Sequence, residues 1–367
     1  MFYITVEYVR PEHTHQLTLE DLFSNVPLTQ KVTPELRVRR TVAREELTPD
    51  LKAQYTIRAR NFTRACEEIL TRYSDSDMWD LYDHYRIPKR SGGTRPIDAP
   101  KPALKADMEY VLRYLNLLPI YPHTCAYAYV NGRTHADAAR KHAETKHKYY
   151  LKLDMHNFFG SCNPAFIETQ LMQDAFFAQL DKSTLSKFIH LCTLKDGLPQ
   201  GTPLSPWLTN VLMRPLDFQI AQLCKARNVT YTRYADDMHF SYNNKQGTNA
   251  LYNDIKNLLK STPLQLNEKK TKTSSLAGQT HILGLTISND SQVTVNNKNK
   301  ERSRAMIWDI LQNPEIWTSM EASQALGKLN YYIQIEPAYF NALIARYKEK
   351  TGKNVIEVLI DRIKNAR

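Results

Sequence analysis

The sequence predicts an α+β protein, with helices packed around a small antiparallel sheet that carries a cluster of acids. Three observations lead to that class. Residues 149–154 (Tyr-Tyr-Leu-Lys-Leu-Asp) read as a strand ending in a carboxylate. Residues 229–242 read as two short strands with Asp236-Asp237 at the turn between them. From Lys298 onward the apolar pattern is helical, interrupted near Asn313-Pro314, Ile335-Glu336-Pro337 and Thr351-Gly352.

The remaining elements follow in chain order. Residues 1–80 are polar and charged, with helical stretches around 17–23 and 57–73 and no evident chemistry. Lys89-Arg90-Ser91-Gly92-Gly93-Thr94-Arg95-Pro96 reads as a β-hairpin tip with its Gly-Gly pair flanked by basic residues. A helix is expected over 103–118, just after Pro100 and Pro102. Asn163-Pro164 joins an N-cap to a proline suited to the first helical position, so a helix is expected over 165–180. Further helices are expected over 206–227 and 247–260, and a strand over 281–287. No internal repeats or low-complexity tracts occur.

With 367 residues and 42% hydrophobic content, the chain has the composition of a folded protein with two or three packed units. Lys and Arg outnumber Asp and Glu by 49 to 38, a net +11 that suits a polyanionic partner. An anionic membrane surface or plain solubility would use the same excess. The five cysteines (Cys66, Cys125, Cys162, Cys192, Cys224) form no C-x-x-C pair, which argues against a zinc site or disulfide framework and for a reducing setting. No apolar run has the length of a membrane span and the N-terminus lacks a signal-peptide core, so a cytoplasmic location is expected.

The acids carry the chemistry. Two adjacent aspartates repel unless a cation lies between them, and an isolated Asp-Asp pair is most often just a polar turn. Here the pair is flanked by Val229-Thr230-Tyr231-Thr232-Arg233-Tyr234 and Met238-His239-Phe240-Ser241-Tyr242, a setting that holds carboxylates firmly. Asp154, Asp236 and Asp237 together offer the hard oxygen ligands that Mg²⁺ prefers. Two such ions stabilise both the attacking and the leaving oxygen of a phosphoryl transfer.

These residues sit in motifs that resemble those of reverse transcriptases. Tyr234-Ala235-Asp236-Asp237 is similar to their Y-x-D-D box, and Leu153-Asp154-Met155-His156-Asn157-Phe158-Phe159 to their first palm motif. Leu198-Pro199-Gln200-Gly201-Thr202-Pro203-Leu204-Ser205-Pro206 is similar to their PQG-x-x-x-SP motif, and the three stand in the family's order. Lys89 with Arg95-Pro96-Ile97 resembles the fingers hairpin, Asn267-Glu268-Lys269-Lys270-Thr271 the motif after the catalytic box, and His281-Ile282-Leu283-Gly284 the primer grip. The resemblance covers roughly residues 80 to 350.

It implies a right-hand polymerase fold: N-terminal extension over 1–80, fingers over 81–148, palm over 149–290 and helical thumb over 291–367. It also implies an RNA-directed DNA polymerase using two Mg²⁺ ions, with Mn²⁺ as substitute, held by Asp154, Asp236 and Asp237. Phe159 would pack under the incoming sugar and disfavour a 2′-hydroxyl, since a phenyl ring offers it no acceptor. One of Phe158 and Phe159 is expected in the core, as neighbours on a strand face opposite ways.

Gln200 and Gly201 would meet the nascent base pair, glycine allowing close backbone approach. Lys89 and Arg95 would clamp the triphosphate. Lys270 would donate a proton to pyrophosphate, with Lys269 and Lys272 as competitors. Tyr234, Leu283 and Gly284 would meet primer and template. Basic residues Lys298, Lys300, Arg302, Arg304, Lys328, Arg346, Lys348 and Lys350 would suit a grip on the duplex or serve as ordinary surface charge. His142 and His156 stand isolated and are expected to be structural or nucleic-acid contacts.

Because the sequence ends soon after the expected thumb, no RNase H, maturase or endonuclease domain is expected, and in that respect the chain resembles compact retron and phage-defence reverse transcriptases. The retron N-A-x-x-H box is represented by Ala138-Ala139-Arg140-Lys141-His142, without its asparagine, and the V-T-G box by Ile282-Leu283-Gly284. Expected partners are dNTPs, DNA product, a template or cognate non-coding RNA, and a defence effector or second polymerase copy. Alternatives are untemplated or protein-primed synthesis by the same fold, or a non-catalytic RNA scaffold. The intact acids argue against the scaffold.

Overall fold

The structure, a computed structural model, describes residues 48–88, 92–244, 248–278 and 280–365. The expected helix at 17–23 and the hairpin-tip residue Lys89 lie outside the described residues.

Helix α1 (Pro49–Tyr73) starts at Thr48, whose hydroxyl accepts from the Leu51 N–H, and buries Tyr55, Ala59, Phe62, Cys66, Leu70 and Tyr73 on one stripe. Strands β1 (Tyr82–Pro88) and β2 (Thr94–Pro100) form an antiparallel hairpin with little burial along most of its length. Helix α2 (Pro102–Leu115) follows, and α3 (His135–Glu144) opens on a capping box between Thr134 and Asp137. Next come β3 (Tyr149–His156), the short α4 (Phe158–Ser161), α5 (Pro164–Leu171), α6 (Lys182–Cys192) and α7 (Leu204–Ala226).

Strands β4 (Thr230–Tyr234) and β5 (Asp237–Tyr242) form the hairpin bearing the paired aspartates. Helix α8 (Thr248–Leu259), β6 (Gln265–Leu266) and β7 (Lys272–Ser275) complete this part. The central sheet runs β4-β5-β3-β6, with β7 also pairing β3. Strands β8 (Thr280–Ile282), β9 (Leu285–Ile287) and β10 (Val293–Val295) make a separate three-stranded sheet. Four helices end the chain: α9 (Asn297–Gln312), α10 (Ser319–Ile335), α11 (Pro337–Thr351) and α12 (Val355–Lys364). Their breaks match the three interruptions read from the sequence.

Two apolar clusters hold these elements. The larger packs one face of the central sheet (Leu151, Leu153, Met238, Phe240) against α1, α2 and α5–α8. The smaller joins β8–β10 and α9–α12 to α3 through Ala136, Ala139 and Ala143. Burying a single Phe or Leu in such clusters stabilises by roughly 1.5–3 kcal/mol.

Three local expectations are corrected. The helix expected over 165–180 stops at Leu171, because the buried Asp174 carboxylate accepts from the Phe176 and Phe177 N–H groups and pairs with Arg214. A short polar side chain that satisfies backbone donors in this way outcompetes the next helical turn. The strand expected over 281–287 is two strands, β8 and β9, because Leu283 (φ 51°) and Gly284 (φ 85°) form the left-handed pair of a tight hairpin turn. Phe158 and Phe159 are not on a strand, since Asn157 (φ 45°) ends β3 and they open α4. Phe158 is still the buried one and Phe159 the half-buried one.

Candidate active site

The acids meet at one end of the central sheet. Asp154 pairs across the strands with Asp237, and Tyr234 pairs with Asp237 to close the two-residue turn Ala235-Asp236. Ala235 takes φ 56°, as a tight hairpin requires at that position. The Met155 N–H donates to the Asp236 carbonyl at 3.1 Å, and the Asn267 N–H to the Asp154 carbonyl at 2.7 Å. The turn is thereby locked to β3.

A buried ion pair supports the turn from below. Arg233 is fully buried, and its guanidinium donates to Asp217 at 2.7–3.1 Å, to Asn210 at 3.1 Å and to the Ala235 carbonyl at 3.2 Å. The Tyr231 hydroxyl also donates to Asp217 at 2.8 Å. Burial works against the Arg233 charge, but Asp217 outweighs it and holds the guanidinium above its usual basicity. Sequence reading missed this support. Its signal is the apolar strand itself: Tyr231 and Arg233 share one face of β4, and an arginine buried there needs a buried acid.

The carboxylates are strongly conditioned. Asp154 is 4% exposed, and its Oδ1 has no hydrogen-bond partner. Its Oδ2 accepts from Lys270 Nζ at 2.9 Å. Asp237 Oδ1 lies 2.7 Å from Lys152 Nζ as an ion pair, without the alignment of a hydrogen bond. Burial, then Asp237, then Asp154 push the Asp236 carboxyl above the ordinary aspartate range. Among the described residues, no three acid, histidine or cysteine side chains converge as a metal cluster. Lys152 and Lys270 instead stand where cationic charge is needed. A buried carboxylate oxygen without a partner and a carboxyl resisting ionisation fit a divalent cation by donor chemistry.

Other sequence-derived positions divide into those near this centre and those apart. Phe159 is half-buried against the larger cluster, its ring centroid 5.6 Å from Phe158, and its carbonyl accepts from the Leu198 N–H at 3.0 Å. The Gln200 carbonyl accepts from the Asp98 N–H at 2.8 Å, tying this loop to β2. Gly201 has φ 126°, and a Cβ there would lie 3.0 Å from the Asp98 carbonyl oxygen, so glycine is required. Arg95 is exposed on β2. Leu283 and Gly284 form the β8–β9 turn, where the Gly284 carbonyl accepts from Asn296, the residue that caps α9.

Lys270 pairs with Asp154, Lys269 is exposed, and Lys272 lies on β7 across from Lys152. Of the basic residues of 298–350, Lys300 is a correction to the duplex-grip expectation. Its ammonium pairs with Glu336 at 2.6 Å and sits over the Tyr339 ring, so it braces α9 against α11.

His142 is likewise not isolated. It is fully buried, bridging Ser241 (2.8 Å) and Thr232 (2.9 Å), and His147 also reaches Ser241 at 3.1 Å. His239 lies 6.5 Å from His142 ring to ring, and burial holds all three imidazoles below their usual basicity, His239 at about 3. His156 is exposed. All five cysteines are free and buried.

No helix among the described residues is long and apolar enough to cross a membrane. Residues 87–287 match the family model described as reverse transcriptase (RNA-dependent DNA polymerase). The chain is 29% identical to the retron Ec83 reverse transcriptase of Escherichia coli, over 75% of this chain and 89% of that one. It is 29% identical to the retron Ec73 reverse transcriptase of E. coli, over 76% and 89%. To the retron Mx65 reverse transcriptase of Myxococcus xanthus it is 28% identical, over 77% and 68%. Among solved structures, apo telomerase from Candida tropicalis aligns over 84% of this chain and 68% of that one, at 14% identity and TM-score 0.48. A form of that telomerase lacking its C-terminal domain aligns over 65% and 60%, at 17% and 0.45. The matched model spans more than half of the chain and takes in Asp154, the Gln200-Gly201 loop and the Asp236-Asp237 turn. The chain is therefore a member of the reverse transcriptase family, a retron-like RNA-directed DNA polymerase with a right-hand fold.

Proposed function

We propose that this polymerase extends a primer with dNTPs by two-metal phosphoryl transfer at Asp154, Asp236 and Asp237, using Mg²⁺ or, in substitution, Mn²⁺. The observation that carries the reading is the pairing of Asp154 with Asp237 across β3 and β5, with Asp236 on the turn beside them and Asp154 Oδ1 unpartnered. When bound, the ions would neutralise charge developing on the attacking and leaving oxygens.

The chain's own residues do the rest. The Arg233–Asp217 support keeps the turn in place, and Gly201 lets its loop pass close against Asp98 of β2. Phe159 faces the sugar, Arg95 and Lys89 take the triphosphate, and Lys270 passes a proton to pyrophosphate as its hold on Asp154 loosens. In this reading β1–β2 and the elements around it form the fingers, the central sheet the palm, and residues 291–367 the thumb. Tyr234 and the Leu283-Gly284 turn meet the primer strand.

The template is an RNA, a cognate non-coding transcript by resemblance to the retron enzymes. The setting is the cytoplasm, with a role in antiviral defence. The test combines the purified full chain, a primed RNA, labelled dNTPs and Mg²⁺. DNA product that disappears with Asp236→Asn, with chelation and with prior RNase supports the reading. Product that persists in Asp236→Asn would sink it. Plaque counts on cells carrying wild type or Asp236→Asn, with the native flanking RNA, test the defence role, and equal counts reject it.

A further inference from the structure

His135 opens α3 and lies outside every motif considered above, yet its ring joins the catalytic hairpin to the C-terminal helices. On one side the imidazole meets Tyr234 edge-on, with ring centroids 6.1 Å apart and planes at 83°. On the other it stacks on Tyr331 of α10 at 5.2 Å and 30°, and its Nε2 shares a hydrogen bond with the Tyr331 hydroxyl. Ring pairs in these two arrangements attract beyond the area they bury. Three rings thus run without a break from α10 to the residue that closes the Asp236 turn.

Helix α3 holds this strut rigid. The Thr134–Asp137 capping box fixes its N-terminus, and His142, two turns further along, bonds Thr232. Thr232 stands two residues before Tyr234 on the same face of β4, so α3 grips that face at both ends. Ala136, Ala139 and Ala143 pack with α9–α12, and Arg140 donates to the Gln334 carbonyl at 3.3 Å, about one turn along α10 from Tyr331. Burial keeps the His135 imidazole below its usual basicity and pushes the Tyr331 phenol up to about 12, so the contact carries no charge at neutral pH. All three rings are half-buried, which leaves part of Tyr234 open to a ligand.

We infer that His135 is a positioning residue for primer binding: together with Tyr331 it holds the Tyr234 ring in the orientation that meets the primer strand. This rests on the polymerase reading above, in which Tyr234 meets the primer. The placement of α10 is thereby tied to the catalytic turn. Without the imidazole, Tyr234 loses its lateral support, while the acids keep theirs from Arg233 and from β3.

The experiment measures primer extension on an RNA template, varying duplex and dNTP separately, with thermal unfolding of the same preparations. It uses full-length wild type, His135→Leu, Tyr331→Leu, Tyr331→Phe, Tyr234→Leu, the double variant His135→Leu/Tyr234→Leu, and Asp236→Asn. In His135→Leu and Tyr331→Leu, KM for primer–template is expected to rise about tenfold, with KM for dNTP within about twofold of wild type. Tyr331→Phe keeps the stacked ring and is expected to recover most of that loss. Because His135 acts through Tyr234, the double variant is expected to bind primer no worse than Tyr234→Leu alone. An unchanged KM for primer–template in His135→Leu overturns the inference, as does a double variant in which the two losses multiply. A loss confined to kcat that follows Tm and is not recovered in Tyr331→Phe marks a structural role and also overturns it. An inactive wild type, or an active Asp236→Asn, counts against the polymerase reading and takes this inference with it. An active wild type with indifferent His135→Leu overturns this inference alone.

Discussion

Replacing Asp217 by alanine should uncouple the catalytic turn from the core. Asp217 and Arg233 are both fully buried, and the carboxylate takes three guanidinium contacts of 2.7–3.1 Å plus the Tyr231 hydroxyl. Asn210 and the Ala235 carbonyl cannot neutralise the guanidinium left behind. An uncompensated buried charge of this kind costs about 3–5 kcal/mol. At about 2–4 °C per kcal/mol for units of this size, Tm should fall by roughly 10 °C. The paired change Asp217→Leu/Arg233→Met removes both charges and should recover most of that loss. It should not recover activity, because the Arg233 bond to the Ala235 carbonyl at the turn is gone. Calorimetry and primer extension on the same preparations separate the two effects. The reasoning fails if the double variant is no more stable than Asp217→Ala, or if it polymerises at the wild-type rate.

Other expectations follow from neighbouring residues. Lys270→Ala should lower kcat about 100-fold, on the scale of a lost general acid, with little change in KM for dNTP; a pH–rate profile that keeps its alkaline limb would contradict the role. Phe159→Ala should weaken dNTP-over-rNTP discrimination on the order of 10–100-fold, as judged by competitive incorporation, and unaltered selectivity would return Phe159 to a packing role. The folded His239 is at about 3 against 6.5 unfolded. The unfolded chain therefore binds the extra proton first, and stability present above pH 6.5 is lost as pH falls toward 3, by about 5 kcal/mol for this residue. Urea midpoints from pH 7 to 4 should show that loss, and His239→Leu should flatten it. Asp236 has the opposite sign, because its carboxyl is raised. Metal-free protein should gain stability from this group as pH falls toward its unfolded value, while Mg²⁺ affinity drops; isothermal titration at two pH values checks the second half.

The polymerase class was legible in short stretches of sequence because its chemistry needs fixed residue types at fixed local places. Acids stand near the end of a strand at Asp154, two residues before β3 stops, and at a tight turn at Asp236-Asp237, and a glycine stands where backbone must approach closely at Gly201. The helix breaks at Asn313-Pro314 and Gly352 were equally local. What the tertiary structure decided depends on pairs far apart in the chain. Arg233 and Asp217 become one unit only when β4 lies on α7. His142, apparently isolated, joins His147 and His239 once α3 covers the sheet. Lys300 turns from duplex grip to brace because Glu336 arrives beside it. The early end of α5 depends on Arg214, forty residues away from Asp174. In each case a buried charge or polar group must find its partner or lose the energy of hydration, and the identity of that partner is a property of packing rather than of local sequence.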